Sequence, residues 1–176
     1  MCDQLKIDTS KKWIFLHSGS GGSANNLSLT QYAQLIQGLL RHLDVYVILT
    51  AGPTESEKAH ELAGRVQDPR VVIYDKNNGL VDFALSLACA DLFIAGSTGP
   101  LHLSGALNVP TIGFYPSRRS ATPLRWQPIN DADKHLAFCP PNDKASQTDL
   151  TQIKIEEKLD DIIRFMTKVW HAADKK

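Results

Sequence analysis

The stretch "DLFIAGSTGPLHLSGALNVPTIGFY", residues 91–115, places a short helical segment between two apolar, β-rich runs. The runs "DLFIAG" (91–96) and "TIGFY" (111–115) have the length and residue types of buried strands. Pro100 suits the first turn of a helix, because the N–H that proline lacks would have no helical partner there. We therefore predict a helix over about 99–107, and strand, helix and strand together predict a βαβ unit with parallel strands.

The same alternation of strands and helices covers most of the chain. Further strands are predicted at "WIFLH" (13–17), "VYVILT" (45–50) and "VVIY" (71–74), with a possible sixth at "HLAFCP" (135–140). Helices are predicted from about 28, 54 and 80, and from about 155 to 171, and residues 116–131 are predicted to form a long loop. This order predicts one α/β domain over residues 1–176, a Rossmann-like parallel sheet of five to six strands with helices on both faces.

Two polar pairs predict where the first helices begin. Ser28 and Gln31 have the S-x-x-Q spacing of a capping box, and Thr54 and Glu57 have the related T-x-x-E spacing. In both pairs the two residues would satisfy each other's free backbone N–H groups.

Composition excludes several classes of function. Lysine plus arginine equals aspartate plus glutamate at 19 each, so the chain has neither the basic footprint of a nucleic-acid-binding protein nor a polybasic membrane patch. No apolar run reaches the roughly 18 residues of a membrane span, and the N-terminus lacks the apolar core of a signal peptide. The three cysteines, Cys2, Cys89 and Cys139, have no metal-binding spacing. We expect a cytoplasmic protein that binds no nucleic acid, has no transmembrane segment and needs no metal or other cofactor.

The segment "HSGSGGSANNLS", residues 17–28, is a glycine- and serine-rich loop after the first strand and is called the Gly/Ser loop below. Gly19, Gly21 and Ala24 fit the G-x-G-x-x-A dinucleotide fingerprint, which leaves an oxidoreductase domain as an alternative. The helix begins several residues later than that fingerprint requires, however, and no acidic residue ends the second strand. A flexible surface loop is a further alternative. We expect the backbone N–H groups of the loop, helped by the hydroxyl of Ser20 or Ser23, to approach a ligand closely.

The segment "STGPLH", residues 97–102, predicts a phosphate site. A helix N-terminus presents free N–H donors and the positive end of the helix dipole. Ser97, Thr98 and Gly99 would supply donors there, and His102 would project from the first turn. The alternative is an ordinary helix cap with Thr98 as the N-cap.

The remaining polar residues predict no complete catalytic centre. Arg118 and Arg119 in the loop after the fifth strand are weak phosphate candidates, because loop arginines are mostly solvated. No Ser/His/Asp set and no pair of neighbouring carboxylates is evident. We expect the chain to bind an anionic ligand without being a complete catalyst, and we assign no catalytic residue to it.

Three segments together resemble a known family: the Gly/Ser loop, "LTAGPTESEKA" (49–59), and "ADLFIAGSTGPLHLSGALNVPTIGFY" (90–115). They are similar to the C-terminal, donor-binding domain of glycosyltransferase family 9, the ADP-heptose:lipopolysaccharide heptosyltransferases. The resemblance extends from about Lys12 to Tyr115. Its most specific part is T-G-x-x-H after a buried strand, followed by "VPTIGFY".

The resemblance implies one half of a two-domain GT-B fold. The N-terminal half of such an enzyme binds the acceptor and carries the catalytic aspartate, and the C-terminal half binds the nucleotide sugar. This chain would then be the donor-binding half of an inverting glycosyltransferase in lipopolysaccharide core biosynthesis, with an ADP-heptose-like donor and the acceptor domain absent. The chain would be inactive alone, and a peripheral association with the inner membrane would be compatible with this role. Because the full enzyme needs about twice this length, we expect either an excised domain or a truncated product.

The resemblance also assigns residues to the donor site. Thr98 and Gly99 would contact the diphosphate, His102 would lie beside it, and Gly52 and Pro53 would line the nucleotide side. The full set of candidates is, for the diphosphate, Ser97, Thr98, Gly99, Pro100 and His102, and, for the nucleotide side and the loop, Ser18, Gly19, Ser20, Gly21, Asn25, Gly52 and Pro53.

Two departures from the family pattern affect the donor site. Ser97 stands where the family often has aspartate or asparagine. The Gly/Ser loop also lacks the family's lysine before a Trp-Pro pair and has "NNLS" (25–28) instead, so Arg118 or Arg119 would have to replace that cation. A stand-alone nucleotide-binding or assembly module without catalysis is therefore kept as the alternative function.

Overall fold

A six-stranded parallel sheet forms the centre of the protein. The computed structural model describes residues 5, 7–21 and 25–173. The strands are β1 (Lys12–His17), β2 (Val45–Thr50), β3 (Val71–Tyr74), β4 (Leu92–Gly96), β5 (Thr111–Phe114) and β6 (His135–Phe138). Their order in the sheet is β3-β2-β1-β4-β5-β6, and every neighbouring pair is parallel. This is the Rossmann order, so the predicted fold class is confirmed, including the sixth strand.

Helices connect the strands at the predicted places. They are α1 (Leu29–His42), α2 (Ser56–Val66), α3 (Leu80–Leu87), α4 (Gly99–Ala106), α5 (Pro123–Trp126) and α6 (Ile155–Ala173). The predicted loop over 116–131 contains the short helix α5, which the sequence pattern did not indicate. Two 3-10 turns, Ala132–Lys134 and Leu150–Gln152, precede β6 and α6.

Both faces of the sheet are covered because successive strand residues point to opposite sides. In β1, Ile14 and Leu16 pack into the apolar cluster formed with α1, α2 and α6. Trp13 and Phe15, which alternate with them, pack into a second cluster formed with α3 and α4. Burial on two faces explains why the strands read as nearly continuous apolar runs.

One predicted capping box is confirmed and the other is wrong. Ser28 is the N-cap of α1, and its side chain and that of Gln31 bond each other's backbone as expected. The N-cap of α2 is Glu55, with no side-chain capping bond, so Thr54 and Glu57 form no box. The Glu55 N–H donates to the Gly52 carbonyl in a turn that delays the helix, and Thr54 therefore lies outside it.

The strand order reverses between β1 and β4, and the loops after these two strands lie side by side. A methyl group on Gly96 would come within 2.7 Å of the Asn26 side-chain oxygen. The Tyr32 hydroxyl donates to the same oxygen at 2.6 Å, so Asn26 connects the Gly/Ser loop to α1 and packs it against the end of β4. Ligands of open α/β sheets bind in the crevice at such a switch point.

None of the helices in residues 7–21 and 25–173 combines the length and the apolar character needed to cross a membrane.

Candidate functional site

The link between β4 and α4 holds a buried hydroxyl without a partner. Thr98 occupies the N-cap position with extended backbone, φ −132° and ψ 166°, but its side chain makes no capping hydrogen bond. Its Oγ1 is buried and has no hydrogen-bond partner among the described residues. Buried polar groups are normally paired, so this hydroxyl is available to a ligand. The alternative prediction for this segment was an ordinary helix cap at Thr98. Thr98 is the N-cap, but it does not form the side-chain hydrogen bond of such a cap.

The first turn of α4 adds backbone donors and a dipole to this hydroxyl. The N–H groups of Leu101 and His102 already donate to the Thr98 carbonyl, and Pro100 has none. No group in the described part of the chain accepts from the Gly99 N–H. A free N–H, a free hydroxyl and the positive end of a helix dipole together favour a negatively charged group.

His102 lies on the same turn, half-buried, with a second histidine nearby. His135 bonds the hydroxyls of Thr111 and Tyr115 through its two ring nitrogens, at 2.8 and 3.1 Å. Burial lowers the pKa of His135 to about 4, and His102 contributes to the shift. The ring of His135 is thus neutral at physiological pH. It adds no positive charge near the first turn of α4.

The Gly/Ser loop gives two of its N–H groups to a side chain that the sequence did not single out. The backbone N–H groups of Ser20 and Gly21 both donate to Oε1 of Glu55 at 2.8 Å. Glycines at two positions make room for the carboxylate: a methyl group on Gly19 would overlap it, and one on Gly52 would come within 3.1 Å. An internal carboxylate thus occupies the place that the sequence suggested for a ligand.

Burial and hydrogen bonding set the charges around Glu55. Burial raises the pKa of Glu55. The hydrogen bonds from the N–H groups of Gly21 and Ser20, together with the nearby His17, lower this pKa by more, so the net shift is downward. Burial lowers the pKa of His17, whose Nδ1 bonds the Thr50 hydroxyl at 3.0 Å. The pair is therefore a carboxylate beside a neutral imidazole, and its negative charge disfavours a phosphate at this loop.

A cavity of about 540 Å³ adjoins the β4 to α4 link and is called the switch-point cavity below. It combines residues from the Gly/Ser loop, the β4 to α4 link, the segment after β5 and the segment before α6. Its lining residues are Asn25, Ser97, Pro116, Arg118, Ser120, Ala121, Trp126 and Thr148. Of the predicted site residues, the cavity brings together Asn25, Ser97 and Arg118.

Most of the other predicted residues either surround the Glu55 carboxylate or lie at the surface. Those around the carboxylate are Gly19, Ser20, Gly21 and Gly52. Ser18, which is buried, accepts a hydrogen bond at its carbonyl from the Asn26 side chain. Pro53 and Arg119 are exposed and do not line the cavity. Ser23 and Ala24 lie outside the described residues, so the fingerprint that ends at Ala24 stays a prediction.

Two residues of the site, Glu55 and Trp126, were not predicted from the sequence. An acidic residue directly after "AGPT" in a strand-to-helix loop was the only available signal for the first. For the second, the signal was an aromatic residue among the arginines of a long loop. In residues 7–21 and 25–173, no group of three or more His, Cys, Asp or Glu side chains is placed to hold a metal ion.

The chain matches one family model and is similar in sequence to several known proteins. Residues 2–154 match the sequence model of glycosyltransferase family 9 (heptosyltransferase). A putative glycosyltransferase of Haemophilus influenzae is 64% identical over 172 residues, which cover 98% of this chain and 50% of that protein. Lipooligosaccharide heptosyltransferase 2 of Campylobacter jejuni is 24% identical, with 91% of this chain and 54% of that protein covered. The chain thus spans about half the length of the curated relatives it matches.

Comparison with solved structures gives the same fold. The ADP-heptose lipopolysaccharide heptosyltransferase II of E. coli superposes with a TM-score of 0.76 at 17% identity. The superposition covers 95% of this chain and 50% of the E. coli protein, so the six-stranded domain corresponds in fold to half of a larger enzyme.

Proposed function

This chain belongs to glycosyltransferase family 9 (heptosyltransferase), and on that premise we propose that it is the donor-binding half of an inverting glycosyltransferase. The donor would be a nucleoside-diphosphate sugar of the ADP-heptose type, since a solved relative bears that donor in its name. The acceptor would be a lipopolysaccharide core, since a curated relative is a lipooligosaccharide heptosyltransferase.

The observation that carries this proposal is the unpartnered Thr98 hydroxyl at the N-terminus of α4. A diphosphate placed there would accept from this hydroxyl and from the Gly99 N–H, and its charge would face the positive end of the helix dipole. Ser97 would lie at the join between diphosphate and sugar, because it precedes Thr98 and lines the switch-point cavity. The diphosphate is not expected at the Gly/Ser loop, whose Ser20 and Gly21 donors are bonded to Glu55.

The reaction divides between two halves under this proposal. A base of the acceptor-binding half deprotonates the acceptor hydroxyl, which attacks the anomeric carbon from the face opposite the diphosphate. As the bond to the diphosphate breaks, negative charge grows on the departing oxygen. The donors at Thr98 and Gly99 stabilise that charge without a metal ion, because they are already oriented before the bond breaks. Alone, the chain binds nucleotide and transfers nothing.

The test is a thermal-shift panel of ADP, UDP, GDP and NAD on the 176-residue chain. A ligand at about 100 times its dissociation constant stabilises a protein by about 2.7 kcal/mol. In a domain of this size that corresponds to a rise in Tm of roughly 5–10 °C. We expect ADP to give the largest rise. A rise with NAD alone would favour an oxidoreductase, and no rise with any nucleotide would contradict the proposal.

A further inference from the structure

The segment between β5 and β6 exposes apolar and cationic side chains together. Residues 116–130, called the arginine-rich segment below, have three arginines and no acidic residue, although the charges of the whole chain balance. Leu124 and Ile129 are 90% and 83% exposed, and Trp126 is 48% exposed. The three arginines are exposed as well: Arg118, Arg119 and Arg125. Large apolar side chains that are exposed close together mark a surface for a partner.

Hydrogen bonds fold the middle of the arginine-rich segment into one compact unit. The Trp126 indole N–H donates to the Ser120 carbonyl at 3.0 Å, and its backbone N–H donates to the Thr122 carbonyl at 3.1 Å. The Ala121 N–H donates to the Arg118 carbonyl at 2.8 Å. The chain therefore turns back on itself, and Trp126 lies beside the turn that begins at Arg118.

Both ends of the arginine-rich segment are anchored to the rest of the domain. At its start, Ser117 donates through its N–H to the Gln147 carbonyl at 2.8 Å and through its hydroxyl to the Pro141 carbonyl at 3.0 Å. At its end, the Asn130 amide donates to the Val109 carbonyl at 3.0 Å. The exposed side chains are thus presented by a backbone that is already ordered, so a partner would have to order little of it on binding.

The charge of the arginine-rich segment indicates which partner it fits. The helix α3 also exposes apolar side chains, at Leu80, Val81 and Leu85, but its sequence has an acidic residue, Asp82, and no basic one. Arginines attract the anionic headgroups of lipids, while leucine, isoleucine and tryptophan are the side chains that enter the boundary between headgroups and acyl chains. The combination in the arginine-rich segment therefore fits an anionic bilayer surface.

We propose that the arginine-rich segment binds the surface of an anionic lipid bilayer. Leu124, Trp126 and Ile129 enter the boundary between headgroups and acyl chains, and the guanidinium groups bind lipid phosphates. Trp126 and Arg118 also line the switch-point cavity, so this contact would hold the cavity at the membrane surface. The inference goes beyond the proposed function and does not require that a nucleotide binds.

The test is flotation of the 176-residue chain with lipid vesicles in the absence of nucleotide. One set of vesicles is phosphatidylcholine, and the other is equal parts of phosphatidylcholine and phosphatidylglycerol. We expect at least about tenfold tighter binding to the anionic vesicles, since each basic residue near such a surface adds to the attraction. Raising the salt from about 0.1 M to about 1 M should reduce this preference, because the Debye length falls from about 10 Å to about 3 Å. Equal binding to both sets, or binding to neither, would overturn the inference.

Tryptophan fluorescence shows whether the arginine-rich segment makes the contact. Trp126 is exposed, whereas Trp13 is buried and the Trp170 indole N–H donates to the Asp91 carbonyl. We expect anionic vesicles to shift the emission of the wild type to shorter wavelength, because the Trp126 ring leaves water. Trp126→Phe should lose this shift. A shift of the same size in Trp126→Phe would contradict the proposed surface.

The apolar part of the contact is tested at Leu124. Leu124→Gln is expected to weaken binding to anionic vesicles about tenfold, since a leucine side chain no longer leaves water on binding. Leu85→Gln is the matched control, because it makes the same change at an exposed position of α3, and it should bind as the wild type does. Equal binding of the two variants would contradict insertion of Leu124 into the bilayer.

The charged part of the contact is tested with two double variants. Arg119→Gln combined with Arg125→Gln is expected to lose most of the preference for anionic vesicles. Arg41→Gln combined with Arg164→Gln removes the same charge at exposed positions of α1 and α6 and should keep that preference. If both double variants lost the preference equally, the attraction would come from the charge of the whole chain, and the proposed surface would be wrong.

Discussion

The imidazole of His17 and the carboxylate of Glu55 form a buried pair, with Nε2 and Oε2 separated by 3.4 Å. The shifts in pKa described above make this pair a neutral ring beside a charged carboxylate. The negative charge is therefore compensated mainly by the N–H groups of Ser20 and Gly21 and not by a cation. Glu55 thus fixes the Gly/Ser loop to the start of α2, and the α4 terminus is left as the place for an anionic ligand.

Replacement of Glu55 should release the Gly/Ser loop. Glu55→Gln removes the charge that strengthens two backbone hydrogen bonds, and we expect a loss of about 1–3 kcal/mol in the free energy of unfolding, measured by urea denaturation. Glu57→Gln, an exposed acid in the first turn of α2, is the control and should change stability by less than about 0.5 kcal/mol. Equal stability of the two variants would show that Glu55 does not fix the loop.

A methyl group at Gly19 should be costly because it would overlap the Glu55 carboxylate. We expect Gly19→Ala to destabilise the fold by about 1–3 kcal/mol, as for an overpacked core position. Gly64→Ala is the matched control, since Gly64 lies in α2 with no atom near the added methyl group, and it should stabilise the fold by about 0.5–1 kcal/mol. If thermal unfolding showed Gly19→Ala to be neutral, the close packing of Gly19 against the Glu55 carboxylate would be contradicted.

Stability should fall in mild acid because of His135, whose pKa in the fold is about 4. The unfolded chain binds a proton at this ring below about pH 6.5, and the folded chain does not until about pH 4. The contribution to stability is therefore complete above pH 6.5 and is lost as the pH falls toward 4. A shift of this size is worth about 3 kcal/mol, reduced to roughly 2 kcal/mol by partial exposure of the ring.

The check is urea denaturation of the wild type and His135→Gln at pH 7.5 and at pH 4.5. The wild type should lose about 2 kcal/mol more than the variant between these two values, because glutamine does not titrate there. Equal losses in the two proteins would mean that the histidine is not held in its neutral form.

The strands and helices could be predicted from the sequence because each depends on a local pattern. Burial on two faces makes the strands continuous apolar runs. The start of α1 is marked by the Ser28–Gln31 pair, a motif that spans four consecutive residues. The capping box at Thr54 and Glu57 was predicted wrongly because Thr54 lies in a turn closed by the Glu55 N–H and the Gly52 carbonyl. The sequence of this turn has the same polar spacing as a capping box.

The roles of Glu55 and Trp126 could not be predicted because their partners are set by tertiary structure. Glu55 bonds N–H groups that lie 34 and 35 residues away in the chain. Trp126 meets Asn25 and Ser97 at one cavity only after β1, β4 and β5 have aligned their ends. A local sequence pattern cannot predict contacts between residues that are so far apart in the chain. The position of Ser97 and Thr98 after β4, in contrast, follows directly from the order of strands and helices.

The most direct test of a diphosphate site at Thr98 is calorimetric titration of ADP into the wild type, Thr98→Val and Thr122→Val. Thr122 is the N-cap of α5 and, like Thr98, makes no side-chain capping bond, so the control changes the same atoms at a different helix. We expect ADP to bind the wild type, and we expect Thr98→Val to weaken this binding about tenfold through loss of one hydrogen bond to a charged group. Thr122→Val should bind ADP as the wild type does. No binding of ADP at millimolar concentration, or equal affinity in Thr98→Val and the wild type, would contradict a diphosphate site at the start of α4.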